Sequence, residues 1–383
     1  MKPNTAEPDW KEIRGWKNQL VHLLGTRGRV TARSRDGMPK PVSNATMEKR
    51  EKRLFAALNE LQRMGYKFKS LDSLQRRHIQ ALGMKWAKDG HAPSTIQNDL
   101  SMLRLLFQWI DKPEIMGESA EFVPSKQFVT RTTNAQYDHS WTAAGVDADR
   151  LIGLVSQYDR HVGIQLRLCH AFYLRRQEAV MFKPHLADQG SHIVVRDGTK
   201  GGRERVVQIE TAYQRNVLAE AKSMVRGKTG HVGRVEHNLK QALDRFSNVC
   251  RRFGITKGGL GITAHGLRHQ GLNDLFESIA GIPSPVRTTG DIASAIAAAD
   301  RDKVDLARAR VSHAAGHARL SISGAYIGGL LGRNQTLSPS QQRRMEDWAR
   351  FLRLNGLQVR TDAEQIELDL LRERLLSMLS ANE

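Results

Sequence analysis

An ordered set of polar residues in the second half of this chain most constrains its fold, because side chains far apart in sequence must meet at one site. Arg175 and Glu178 fall on the same side of a helical turn, so Glu178 can hold Arg175 in place. His265 and Arg268 have the same spacing and can face one pocket from the start of a helix. In chain order the set is Arg175, Glu178, Lys200, His265, Arg268, His317 and Tyr326.

Lys200 lies in a Gly-rich basic turn between two β-branched runs, Val194–Val195 and Val206–Val207. This pattern predicts an antiparallel hairpin with the lysine at its tip. A flexible tip suits a mobile proton donor.

Together these residue types suit attack on a DNA phosphodiester. Arg175 and Arg268 can each offer forked donors to the non-bridging oxygens of the phosphate, so the chemistry requires no metal. A tyrosine hydroxyl has an unperturbed pKa near ~10, so it needs cations and a proton acceptor, for which His265 is the better candidate. Lys200 is a reasonable general acid for the leaving 5′ oxygen.

In this order and spacing, residues 45 to 330 resemble the tyrosine recombinases of the phage integrase family. The resemblance implies cleavage and rejoining of DNA through a 3′-phosphotyrosine intermediate, without a cofactor. It assigns the roles as follows: Arg175 and Arg268 clamp the phosphate, Glu178 supports the arginine, Lys200 is the acid, His265 and His317 transfer protons or donate hydrogen bonds in the transition state, and Tyr326 is the nucleophile.

Each motif alone has an ordinary structural explanation. An Arg-x-x-Glu pair is usually a solvated salt bridge, and Tyr326 beside Ile327 could be a core aromatic. The ordered set is what favours a catalytic site. Arg176 competes with Arg175 as the clamp, and Arg175 is preferred for its three-residue spacing to Glu178.

The interval from Arg268 to His317 is longer than the family's usual one by about the length of a helical hairpin. Residues 281–310 are therefore predicted to be an insertion, containing an Ala-rich helix from Asp291. A surface elaboration is preferred here over a regulatory or DNA-contacting arm.

The composition of the chain also predicts a binding partner. The formal charge of +19 favours a polyanion, and double-stranded DNA is the expected one. Cys169 and Cys250 show no paired or zinc-like spacing, so neither a disulfide framework nor a metal is predicted. The N-terminus lacks an apolar signal region and no stretch approaches a membrane span, so we expect a soluble, cytoplasmic, nucleoid-associated bacterial protein that does not bind membranes.

The predicted fold is mainly α with a small antiparallel β-sheet (α+β), arranged as a two-domain C-shaped DNA clamp. The predicted parts are a basic N-terminal arm (1–44), a helical core-binding domain of the SAM-like type (45–112), a linker (113–146), the catalytic domain (147–333) and a C-terminal helical tail (334–383). An amphipathic helix from Thr361 to Leu379 needs a partner surface, either on its own domain or on a neighbouring protomer.

The preferred function is that of a site-specific recombinase, the integrase of a phage, genomic island or conjugative element. The resemblance implies a homotetramer on two DNA sites, with host DNA-bending or excision factors as further partners. A type IB topoisomerase shares the chemistry but acts as a monomer, and the family-like N-terminal helices favour recombination. A catalytically silent DNA-binding accessory protein would lack the nucleophile or a clamp, and neither is missing from the sequence.

Overall fold

The structure is a computed structural model that describes residues 9–30, 41–288, 291–317, 323–329 and 360–380, with residues 347, 350, 351 and 354. Side chains of the last range are described as far as Arg374. The chain divides into two compact units, Met1–Thr132 and Thr133–Glu383. Helices dominate, and two strands form an antiparallel sheet. The predicted fold class, mainly α with a small antiparallel sheet, is therefore confirmed.

The first unit is helical. Its α-helices are α1 (Trp16–Thr26), α2 (Asn44–Arg63), α3 (Arg76–Lys88) and α4 (Pro93–Trp109). The Ser43 side chain accepts a hydrogen bond from the Thr46 amide and caps α2, and Pro93 opens α4 at a position where no amide donor is needed. The apolar residues that recur every three or four positions along these helices form one core.

That core extends beyond the predicted domain limits of 45 and 112. Trp16 and Leu20 of α1 are buried in it, so part of the stretch predicted as a basic arm is a packed helix. Residues 31–40 of the predicted arm lie outside the described residues. Phe122 and Val129, within the predicted linker, also pack in this core, while Trp141 belongs to the core of the second unit. Short 3-10 turns give these segments no helical periodicity to detect in the sequence.

The second unit surrounds α11, a largely buried helix. Its helices are α5 (Ala148–Tyr158), α6 (Arg160–Ala171), α7 (Arg176–Val180), α8 (Pro184–Ala187), α9 (Ala212–Ser223), α10 (Leu239–Arg252), α11 (Ala264–Ala280), α12 (Ile292–Ala297), α13 (Arg301–Ala314) and α14 (Gly324–Ile327). Thr263 caps the start of α11, and Gly281 ends it in the left-handed region at φ 70°. Helix α11 packs against α6, α13 and α14, which carry or adjoin the site described below.

The hairpin predicted around Lys200 is present. Strands β1 (His192–Val195) and β2 (Arg205–Gln208) pair antiparallel, with Val194 opposite Val206. The connecting turn contains a short 3-10 segment, Lys200–Gly202. Gly198 lies so close to the backbone of Gln177 and Glu178 that a Cβ there would be 2.9 Å from the Gln177 carbonyl. The hairpin turn therefore packs on the start of α7.

The predicted insertion, residues 281–310, contributes to the core through its last part. Val304 and Ala307 of α13 are buried in the main core, and Asp300 caps this helix. An alternating charged and apolar sequence hides this packing, because α13 buries charged residues as well as apolar ones. Helix α12, in contrast, buries none of its residues.

The tail contains α15 (Asp362–Ser380), close to the predicted limits of Thr361 and Leu379. Its Leu368 and Leu371 pack with Phe351 and Leu354 of the same tail. The predicted apolar positions from Leu375 onward, and the predicted end of the catalytic domain at Arg333, lie outside the described side chains. In the part of the chain that the structure describes, no helix is long and apolar enough to cross a membrane.

Candidate active site

Tyr326 lies in the one-turn helix α14 and is almost fully buried. Its hydroxyl is 3.2 Å from Nε and 3.0 Å from Nη2 of Arg268, and 3.2 Å from Nε2 of His317. The guanidinium nitrogens can only donate, so the phenol oxygen accepts from them, while the donor in the contact with His317 depends on the tautomer of the imidazole. Three residues of the predicted set therefore meet at one oxygen atom.

Arg268 is completely buried in α11. Besides Tyr326, its guanidinium donates to the Tyr173 carbonyl and, at 2.6 Å, to the Ala315 carbonyl. Burial lowers the pKa of Arg268 to about 10, which still leaves it charged at neutral pH. A buried cation thus faces the Tyr326 phenol.

Arg175 and Glu178 pair as predicted, at the start of α7. One carboxylate oxygen accepts from the Arg175 amide at 2.7 Å and the other accepts from Arg175 Nη1 at 2.6 Å. Arg175 Nη2 donates to the Ala315 carbonyl at 2.8 Å, the acceptor that Arg268 also uses. Both predicted clamp arginines are therefore fixed to one peptide group, two residues before His317. Arg176 instead donates to the Ser247 hydroxyl on α10.

Arg205 is a site residue that sequence reasoning missed. Its side chain is 3% exposed and donates to Glu178 at 2.6 Å, and it also contacts the Tyr173 and Ala314 carbonyls. Burial by itself would raise the pKa of Glu178, but Arg205 and Arg175 outweigh it and hold the pKa at about 2. A signal existed in the alternation of β2, which points Arg205 to the same face as the buried Val207.

Gly316 makes the close packing on Arg205 feasible. Its φ is 70°, and a Cβ there would lie 2.6 Å from Arg205 Cδ. A side chain at this position would displace the arginine or the backbone that leads to His317. The Ala-Gly-His order is therefore a packing requirement of the site.

His265 and His317 are neutral at pH 7. Burial, followed by the charges of Arg175 and Arg268, lowers the pKa of His317 to about 4. Burial and the same two arginines also lower the pKa of His265 to about 4. The His265 ring centroid is 6.1 Å from that of Tyr326, and among the described residues no hydrogen bond joins the two side chains. His317, rather than the preferred His265, is the imidazole at hydrogen-bond distance from the phenol.

Two further histidines were missed. The His269 ring lies 4.9 Å from the Tyr326 ring and 5.0 Å from the His265 ring, and His139 packs edge-on against it at 5.3 Å. Burial, with His265 next, lowers the pKa of His269 to about 3. His269 follows Arg268 directly, one helical turn after His265, so helical spacing could have indicated it.

Lys200 acts on the site through its charge, which contributes, after burial, to the lowered pKa of His317. It is exposed in the hairpin turn, and within the described parts of the chain no hydrogen bond or ion pair joins it to the other site residues. The packing of Gly198 on α7 places the turn beside Glu178 without fixing the lysine head.

Two family models match the chain. One, described as "Integrase", matches residues 140–274, and one described as "Phage integrase, N-terminal" matches residues 36–116. Together they span more than half of the sequence. The first includes Arg175, Lys200, His265 and Arg268, and His317 and Tyr326 follow it at the spacing that brings them to Arg268.

The chain belongs to the integrase family of tyrosine recombinases.

It is a site-specific DNA recombinase, an enzyme that cleaves and rejoins DNA. The match to the N-terminal integrase model accounts for the helical first unit, and neither the topoisomerase alternative nor the silent accessory protein is favoured. No curated protein matches this recombinase.

Solved structures extend the comparison of the fold. A lambda integrase dimer bound to a COC′ core site is similar over 84% of this chain and 79% of that chain, with a TM-score of 0.51 and 12% identity. The Tn1549 transposon integrase in complex with transposon right end DNA covers 85% of this chain and 98% of that chain, with a TM-score of 0.46 and 12% identity. The first similarity bears on the recombinase fold alone.

No group of three or more histidine, cysteine or carboxylate side chains in the described ranges is arranged to hold a metal ion. The positive charges around Tyr326 are those of the Arg175, Arg205 and Arg268 guanidiniums.

Proposed function

We propose that Tyr326 is the nucleophile of this recombinase and that Arg175, Arg268, His317, His265 and Lys200 carry out the rest of the reaction. The observation that carries the proposal is the triple contact at the Tyr326 hydroxyl, where two arginine donors and one neutral imidazole converge. An oxygen with this surrounding can lose its proton to a neighbour while its developing charge is stabilised.

In the first step the Tyr326 oxygen attacks the phosphorus and its proton moves to Nε2 of His317. The bond from phosphorus to the 5′ oxygen breaks, and Lys200 supplies the proton for that oxygen. The products are a 3′-phosphotyrosine and a free 5′ hydroxyl. Attack by a 5′ hydroxyl from the partner duplex reverses the protonation steps and rejoins the strand.

The phosphate would be held between Arg175 and Arg268. Arg175 is 23% exposed, which makes it the more accessible of the two donors. Arg268 is buried, and its Nε and Nη2 donate to the phenol. A non-bridging oxygen would share or take these donors when DNA enters. His265, within ring distance of Tyr326, would donate to the other non-bridging oxygen or relay the proton.

We further propose that the enzyme is the integrase of a mobile genetic element and acts on nucleoid DNA in the cytoplasm. The charge of +19 supports extensive contacts with DNA phosphates. Exchange of strands between two duplexes needs one active site per strand, so the working assembly would be a tetramer on two sites. Host DNA-bending or excision factors would assist by bringing the sites together.

A capture experiment tests this function without a known target. The full-length protein is incubated with duplexes of randomised sequence that carry a nick just beyond the position of cleavage, so that the released fragment diffuses away. Adducts that survive SDS are isolated, and their DNA is sequenced to define the preferred duplex. Mass spectrometry of the linked peptide should identify Tyr326 on a 3′ phosphate. Absence of adducts, or attachment through another residue, would refute the proposal.

A further inference from the structure

The helix that carries Tyr326 is held mainly by its backbone carbonyls. The Gly324 carbonyl accepts from the Ala135 amide at 2.7 Å, and the Ile327 carbonyl accepts from the Val286 amide at 3.1 Å. The side chain of Asn273 donates to the Tyr326 carbonyl at 3.3 Å. A helix of one turn is not stable by itself, so these external partners determine where α14 lies.

Two glycines allow the supporting segments to come this close. A Cβ on Gly324 would be 2.2 Å from Oδ1 of Asn134, and a Cβ on Gly328 would be 2.9 Å from Val286. Gly328 also has φ 88°, which disfavours other residues. The two ends of α14 are therefore packed between a segment near residue 135 and a loop near residue 286.

Arg287 connects these two segments. Its Nε is 3.0 Å from Asp138 Oδ2, and its Nη1 is 2.7 Å from Asp274 Oδ1 and 3.0 Å from Glu277 Oε2. The Arg287 and Asp138 side chains are 17% and 12% exposed. Glu277 also accepts from the Ser284 amide, so α11 anchors the loop at two points.

Asp138 has a matching role on the other segment. It accepts from the amide and the hydroxyl of Ser140, both at 2.8 Å, which fixes its carboxylate toward Arg287. Ala135 is three residues before Asp138, and Val286 is adjacent to Arg287. The ion pair thus connects the two segments whose backbone amides donate to α14.

We propose that Asp138 and Arg287 are a positioning pair that holds the Tyr326 helix at the distance from Arg268 and His317 that attack requires. The proposal rests on the proposed role of Tyr326 as the nucleophile. It also gives residues 283–288 of the predicted insertion a function in the site, in place of the surface elaboration predicted from sequence.

The expected loss of reaction rate follows from the geometry of the site. The Tyr326 hydroxyl has three partners at 3.0 to 3.2 Å, so a displacement of α14 by a fraction of this distance separates nucleophile and acceptor. A misplacement of about 1 Å can slow an enzymatic step by on the order of a hundredfold. Asp138→Asn is the milder probe, because Arg287 keeps Asp274 and Glu277 as partners when the tie to residue 138 is weakened.

The first measurement is independent of catalysis. Full-length wild type, Asp138→Asn, Arg287→Gln and the double variant are compared by hydrogen exchange and mass spectrometry. Peptides that contain Gly324–Gly328 should exchange roughly tenfold faster in each variant, while peptides from α9 stay unchanged. The double variant should be no faster than Arg287→Gln, since both changes break the same connection. Wild-type exchange in the single variants would refute the proposal even if the protein never cleaved DNA.

Asp188→Asn is the matched control. Asp188 also accepts from a backbone amide two residues on, that of Gly190, and its carboxylate pairs with Lys222 at 2.5 Å. It lies outside the network that reaches α14. Faster exchange of the Gly324–Gly328 peptides in Asp188→Asn would mean that any lost ion pair loosens the helix, which contradicts the proposal.

The second measurement uses the duplex selected by capture from the randomised pool. At saturating protein, Asp138→Asn should form the covalent adduct on the order of tenfold more slowly than wild type, with an unchanged Kd for DNA. A 5′-bridging phosphorothiolate, whose leaving group needs no protonation, should not restore the rate. Restoration, or an unchanged rate, would overturn the positioning role. A wild type that forms no adduct would refute the nucleophile assignment instead, and the exchange data would still decide whether the pair holds α14.

Discussion

The guanidinium of Arg268 donates to the Tyr326 hydroxyl from two nitrogens, Nε at 3.2 Å and Nη2 at 3.0 Å. Its Nη1 also donates to the Tyr173 carbonyl and its Nη2 to the Ala315 carbonyl, so the phenol lies at the edge of the guanidinium that Nε and Nη2 form. If Arg268 clamps the phosphate as proposed, a non-bridging oxygen would compete with Tyr326 for these donors. The same contact would then serve both the proposed nucleophile and the proposed phosphate site.

The Tyr326→Phe variant should bind its DNA site as tightly as wild type, or more tightly, and form no covalent adduct. The change removes the nucleophilic oxygen, keeps the packing of the ring, and frees the donors of Arg268 for phosphate. Gel-shift titration and SDS-resistant capture measure the two properties separately. An adduct formed by this variant would show that another residue attacks.

Arg175→Ala and Arg268→Ala should each slow adduct formation about 10²–10³-fold, as expected when a preorganised charged donor to a developing oxyanion is lost. A methylphosphonate at the scissile position carries no charge and should partly restore both variants. Tyr326→Phe is the control that this substrate cannot restore. Rates within tenfold of wild type on the ordinary phosphate would contradict the clamp roles.

Lys200→Met should slow cleavage of an ordinary duplex and should be restored by a 5′-bridging phosphorothiolate, because a thiolate leaves without a proton. Arg203→Met, in the same exposed turn, is the matched control for the loss of positive charge. Equal effects of the two changes, or no rescue of Lys200→Met, would indicate that the lysine only attracts DNA.

Most residues of this candidate site could be predicted from the sequence alone, because they belong to short local patterns. The pair at Arg175 and Glu178, the helix start at His265 and the hairpin at Lys200 each follow from spacing within a few residues. Arg205 and the Asp138–Arg287 pair depend on contacts between segments far apart in the chain. The alternation of β2 indicates that Arg205 is buried, but it does not indicate that Glu178 is its partner, and Asp138 and Arg287 carry no local signal at all.

The choice between His265 and His317 shows the same limit. Both are histidines in helical or turn segments near the end of the catalytic region, and their types do not differ. What selects His317 is the 3.2 Å distance from its Nε2 to the phenol, which depends on how α13 and α14 pack on α11. The buried part of the predicted insertion was missed for a related reason, since α13 buries polar residues among its small apolar ones.

Glu178→Gln should destabilise the protein by about 3–5 kcal/mol, the usual cost of breaking a buried ion pair by removing one partner. The change leaves the Arg205 guanidinium buried next to that of Arg175 without the carboxylate between them. Urea unfolding measures the loss of stability. The control is Glu220→Gln, a change on α9 that removes the partner of Arg167 at a more exposed ion pair. Similar losses in the two variants would mean that Glu178 contributes no more than a surface carboxylate.

Acid should weaken the folded state through the histidines around Tyr326. The pKa values of His265 and His317 are lowered to about 4 and that of His269 to about 3, so all three are neutral in the folded protein above these values. Unfolded histidines have a pKa near ~6.5 and bind protons first as the pH falls. The stabilisation is therefore fully present above pH ~6.5 and is lost progressively toward the folded pKa, at up to ~1.4 kcal/mol per pH unit for each group.

The contribution of His269 to this pH dependence can be measured from the slope of the unfolding free energy against pH, rather than from the stability at one pH. His269→Gln removes one of the titrating groups, so its free energy of unfolding should fall less steeply between pH 6.5 and pH 5 than that of wild type, whatever its stability at pH 7. His185→Gln, at an exposed histidine, is the control for replacing an imidazole by an amide. Denaturant unfolding at half-unit pH intervals measures both. Parallel curves for wild type and His269→Gln would mean that His269 gains its proton over the same pH range in the folded and the unfolded protein, which contradicts the lowering of its pKa by burial.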